Sequence, residues 1–87
     1  MKIKKELIKR SIAGDTVLVP VGRTVYDANG LFILNEVGAF LWDQLKEVSN
    51  EETLVERLLE EYEVGRQQAA ADVAEFLTKL RDMDILE

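Results

Sequence analysis

The chain contains no cysteine and no histidine, only one proline, and no long apolar run. Without cysteine there are no disulfides and no thiol nucleophile. Without both, zinc and iron sites built on thiolate or imidazole are excluded, as is imidazole acid–base chemistry. No run approaches the ~18–20 apolar residues that a membrane span requires, and the N-terminus lacks the apolar segment of a signal peptide. A cytoplasmic protein is therefore expected. The glycines at 14, 22, 30, 38 and 65 are scattered, so no glycine-rich phosphate loop is present.

What is present is enough for one small domain spanning residues 1–87. The formal net charge is −6, with a pI near 4.7, which opposes binding to polyanionic nucleic acid. The charge is uneven. Lys2, Lys4, Lys5, Lys9 and Arg10 crowd the first ten residues, whereas Glu47–Glu63 holds seven acids against Arg57 alone.

Leu7–Ile12 alternates imperfectly and reads as a strand, with Ile8 and Ile12 on one face. Ala13-Gly14-Asp15 is a turn signal, and the β-branched, apolar Thr16–Val19 makes a second strand ending at Pro20. Together they predict a β-hairpin. Val21–Gly30 reads as either a tight hairpin from Tyr26 to Leu31 or a loop ending in the Asn29-Gly30 turn, the loop preferred because Asp27-Ala28 is a poor strand end, and Leu31–Leu34 as a short third strand. Asn35 is a natural N-cap, with Glu36 in the first turn and Val37, Phe40, Leu41, Leu45 and Val48 at helical spacing. Gly38 interrupts that helix at a cost of ~1 kcal/mol relative to alanine, which close packing against its bare Cα would explain. Ser49-x-x-Glu52 matches a capping box and starts a second helix near Asn50. After a break at Glu63-Val64-Gly65, a third helix covers roughly Arg66–Met83. Ala69, Val73, Phe76, Leu77 and Leu80 form its inward stripe, and Asp72, Lys79 and Met83 one shoulder. Ile85-Leu86 is expected to fold back and close the core.

Strands followed by helices imply an α+β fold, a three-stranded antiparallel sheet with three helices against one face, compatible with winged-helix geometry. Carboxylate pairs such as Glu56/Glu60 lie one helical turn apart but read as a solvated helix face, and catalysis is not expected. Arg66-Gln67-Gln68 at the start of the third helix hints at a nucleic-acid reader, but the glutamate-rich second helix would face the phosphates. Peptide or protein binding fits better. A small sheet leaves an edge of unpaired N–H and C=O groups, and an extended peptide can add there as a further strand. Leu31–Leu34 is the apolar strand placed for this.

The segment Leu34-Asn35-Glu36-Val37-Gly38-Ala39-Phe40-Leu41-Trp42 resembles the signature of the PqqD-like family. The strand ending Val17-Leu18-Val19-Pro20, the Glu60–Val64 segment and the closing Phe76-Leu77…Leu80…Ile85-Leu86 resemble it in the same order and spacing. The resemblance implies a winged-helix-like RiPP recognition element. It would bind the leader of a ribosomally made precursor peptide and present it to a modifying enzyme, commonly a radical SAM protein. It implies no catalysis and no cofactor in this chain; from the charge and the lack of an apolar span, neither nucleic acid nor membrane is expected as partner. It also implies a leader strand beside the third strand and against the third helix. On this sequence that means Leu31, Phe32, Ile33 and Leu34, with Asp72, Val73, Phe76, Lys79 and Leu80 from the helix. The Val21–Gly30 connection is longer than the turn of the best-known members. A nucleic-acid binder or a regulatory subunit that retains the fold is the alternative.

Overall fold

The computed structural model describes residues 1–4, 7–20 and 32–87. Leu31 and the Val21–Gly30 connection lie outside them. Three strands, β1 (Leu7–Ile12), β2 (Asp15–Pro20) and β3 (Phe32–Leu34), precede three helices, α1 (Glu36–Leu45), α2 (Glu51–Glu61) and α3 (Arg66–Asp82). The sheet is antiparallel throughout, in the order β1-β2-β3.

The β1–β2 hairpin turns through Ala13 and Gly14, at φ 50° and 86°. Two successive positive φ values define the mirror-image two-residue turn whose twist matches that of the strands, and Ile12 opposite Asp15 closes it. Side chains alternate across the sheet. Leu7, Leu18 and Leu34 point to one face and join a single core with the helices, while Ile8, Arg10, Val17 and Ile33 belong to the other face.

The helices complete that core with Leu41, Trp42 and Leu45 of α1, Leu54, Val55 and Leu58 of α2, and Ala69, Val73, Phe76, Leu77 and Leu80 of α3. Packing joins α2 to both α1 and α3. Phe40 and Tyr62 meet edge to face, with ring centroids 5.6 Å apart. Lys9 ties β1 to Asp43 of α1 at 2.5 Å.

Two helix starts are capped by asparagine. Asn35 Oδ1 accepts from the Gly38 amide at 2.7 Å, and Asn50 Oδ1 accepts from the Thr53 amide at 2.8 Å. The cap of α2 is thus Asn50, one residue beyond the Ser49 of the capping-box motif. Asn50 fixes its first turn twice, because Thr53 Oγ1 also donates to Oδ1. Gly38 does have a close neighbour, but it is local. A Cβ there would stand 3.1 Å from Asn35 Oδ1 and 3.4 Å from Leu34 Cδ2.

At the far end of α3, Asp84 adopts φ 58° and the chain reverses. The Ile85 amide donates to Leu80 O at 2.8 Å and the Asp84 amide to Arg81 O at 3.0 Å, the paired bonds of a Schellman ending. This sends Ile85 and Leu86 back into the core, as their apolar pairing in the sequence suggests. There Leu86 bridges to Ile3, and the Met1 amine donates to Val48 O at 2.5 Å beyond the end of α1.

Candidate functional site: a groove between β3 and α3

Among the described residues, strand β3 pairs with β2 alone and lies at the edge of the sheet. The hairpin decides which of its backbone groups face outward. In an antiparallel ladder, residues that exchange both hydrogen bonds with their partner alternate with residues whose N–H and C=O point the other way. Ile12 and Asp15 close the two-residue turn as a hydrogen-bonded pair, so Arg10–Val17 and Ile8–Val19 bond likewise. Thr16 and Leu18 therefore direct their backbone groups to the other side, where they meet Leu34 and Phe32. The N–H and C=O of Ile33 are left facing away from β2, with no strand beside them among the described residues. Pro20, which has no N–H, falls in a pair that asks no donation toward β1.

Beside this edge lies a groove of about 490 Å³ between β3, the start of α1 and α3. Its floor is apolar: Leu34, Gly38, Leu41 and Phe76 all line it and are all buried. Ile33, 64% exposed, stands at its mouth with Asn35 and Val37. Asp72, Glu75 and Lys79 line it from α3, one helical turn apart, and Asp15 lines it from the start of β2. Glu75 holds Lys79 at 3.0 Å, while Asp72 accepts only from the neutral Gln68, at 2.8 Å. Two carboxylates, Asp15 and Asp72, thus line the groove with no cation paired to them among the described residues.

The groove brings together five of the residues that the sequence singled out: Ile33, Leu34, Asp72, Phe76 and Lys79. Phe32 enters the ladder opposite Leu18. Val73 and Leu80 are completely buried in the core behind the groove and do not line it. Sequence reasoning missed Asp15, Asn35, Val37, Gly38, Leu41 and Glu75. Glu75 was legible, because it follows Asp72 by three residues and precedes Lys79 by four. Asp15 was not, since its place depends on the register of β2 against β3.

Among the described residues no group of three acidic side chains is arranged to hold a metal ion, and no helix is long and apolar enough to cross a membrane. The described residues offer an apolar floor, an acidic rim and one pair of backbone hydrogen-bonding groups, those of Ile33, directed away from β2.

A three-stranded antiparallel sheet followed by three helices, with a groove beside β3, is an architecture shared with a protein solved with a bound leader peptide. The PqqD family model, described as coenzyme PQQ synthesis protein D, matches residues 15–86, and the chain belongs to this family. Among solved structures, TbiB1 in complex with the TbiA(beta) leader peptide matches with a TM-score of 0.73 at 30% identity, over 100% of this chain and 95% of that one. No curated protein matches the chain.

Proposed function

We propose that residues 1–87 form one peptide-binding domain, which captures the leader of a ribosomally synthesised precursor as an added strand beside β3. It then presents the precursor to a modifying enzyme, of the radical SAM kind that the family resemblance implies. The observation that carries this reading is the groove adjoining the open edge of Ile33. Membership of the PqqD family and the likeness to a protein solved with a leader peptide support it.

In this reading Leu31, Phe32, Ile33 and Leu34 supply the strand against which the leader docks. Asp72, Phe76 and Lys79 form the facing wall, while Val73 and Leu80 hold α3 in place from the core. The leader's backbone exchanges bonds with Ile33, and its groove-facing side chains cover Leu34, Leu41 and Phe76. Each apolar side chain buried there contributes about 1.5–3 kcal/mol before the ordering of the peptide is counted. The chain binds and does not catalyse, and it works in the cytoplasm, where the precursor is made.

Titration of the isotope-labelled chain with a candidate leader peptide tests this. The amides of β3 and of Asp72–Lys79 are expected to shift. Shifts confined to α2, or none at saturating peptide, would overturn the groove assignment. Capture of the partner enzyme with a leaderless precursor, as efficient as with the full one, would instead indicate a regulatory subunit.

A further inference from the structure

The groove also selects for sequence. A strand added beside β3 places the residue opposite Ile33 with its side chain on Ile33's own face of the sheet, away from the helices. The residues on either side of it, opposite Phe32 and Leu34, point to the core side, where α3 stands. Groove-facing ligand residues are therefore two or four positions apart. The groove offers them an apolar floor of Leu34, Leu41 and Phe76, and the carboxylate of Asp72 with no described cation beside it. The Glu75–Lys79 pair leaves Lys79 already engaged, so the net charge presented to a ligand is negative.

We infer that the captured segment carries an apolar residue and a lysine or arginine two or four positions apart, the basic side chain lying against Asp72. This rests on strand addition at β3 and specifies the partner's chemistry. An acidic segment is disfavoured by repulsion from the same carboxylate. In an antiparallel added strand the position opposite Ile33 tolerates any side chain but requires its backbone N–H, so proline is excluded there.

The test is selection of a phage-displayed library of random ten-residue peptides against the full chain, with amide mapping of the enriched peptides. Enrichment of lysine or arginine two or four residues from an apolar residue, with shifts at Ile33 and Asp72, is expected. Asp72→Asn is expected to weaken such peptides by about two- to fivefold, the range of an exposed ion pair. Asp72→Lys is expected to turn the enrichment toward acidic peptides; its melting curve, compared with that of the parent chain, establishes that it folds. Peptides that dock at Ile33 with no basic preference, and equal affinity for Asp72→Asn, would overturn this inference and leave strand addition standing. Enriched peptides that dock elsewhere, or no enrichment at all, would overturn both.

Discussion

Val17 and Ile33 stand opposite each other on the same face of the sheet, yet Val17 is 4% exposed and Ile33 64%. The difference follows from strand order. Val17 sits on the middle strand between Arg10 and Ile33, whereas Ile33 has, among the described residues, a cross-strand neighbour on one side only. A β-branched apolar residue held on an edge with its backbone groups facing outward is a ready template for a further strand.

This relationship yields a pair of opposed proline substitutions. The Ile33 amide makes no ladder bond, so Ile33→Pro removes a docking donor and leaves the sheet paired. The Leu34 amide faces Thr16, so Leu34→Pro breaks the β2–β3 ladder and also removes a buried side chain from the core. Ile33→Pro is expected to melt within about 1 kcal/mol of the parent and to lose leader binding. Leu34→Pro is expected to lose about 3 kcal/mol or more. Thermal melts and peptide titration of the two variants check this.

At Gly38 two effects oppose each other. Alanine would gain ~1 kcal/mol of helix propensity. Its Cβ, however, would press on Asn35 Oδ1 at 3.1 Å, and that oxygen is already fixed by the Gly38 amide at 2.7 Å. Displacing the cap costs about 1 kcal/mol, so Gly38→Ala is expected to be neutral within roughly that amount. Gly38→Val adds branching against Leu34 and is expected to destabilise by about 1–3 kcal/mol. Denaturant unfolding of both variants distinguishes the cases.

Ala13 occupies a position that favours glycine or asparagine. At φ 50° its Cβ crowds the following carbonyl, at a cost of about 1–2 kcal/mol. Ala13→Gly is expected to raise stability by about 1 kcal/mol, offset in part by the greater entropy of the unfolded glycine. Leader binding should be unchanged. Chemical denaturation alongside a binding titration tests both halves.

Burial raises the pKa of Tyr62 above its ordinary value of 10.0, with Glu36 and Glu61 adding repulsion of the phenolate. The folded chain therefore holds this proton more tightly than the unfolded one. The resulting contribution to stability is present below pH 10 and is lost as pH rises from there through the folded-state pKa. Lys4 acts in the same direction, its ammonium held by the hydrogen bond to Asp84. Stability should decline above pH 10, and Tyr62→Phe should flatten part of that decline. The tyrosinate absorbance lost in Tyr62→Phe should titrate above pH 10.

Much of the molecule was legible because its signals are local. The hairpin followed from Gly14 and a β-branched strand, α1 from Asn35 and the spacing of its apolar residues, and α3 from a stripe whose five members are all buried. The cap of α2 was misplaced by one residue because Ser49 and Asn50 are both good caps. Only the chain's path into α1 decides between them. The groove was half legible. Asp72, Phe76 and Lys79 share a helix face, but α3's inward stripe could not be divided between groove wall and core without knowing where β3 lies. That division places Phe76 in the groove and leaves Val73 and Leu80 behind it. Asp15 entered through register, which depends on pairings distant in sequence.

The most direct measurement is amide hydrogen exchange across β3, without peptide and then with a bound leader peptide. In the free chain Leu34 is expected to exchange slowly and Ile33 rapidly, because Leu34 donates to β2 and Ile33 does not. On binding, Ile33 is expected to become protected. A protected Ile33 amide in the free chain, or one that remains unprotected when peptide is bound, would contradict strand addition at this edge.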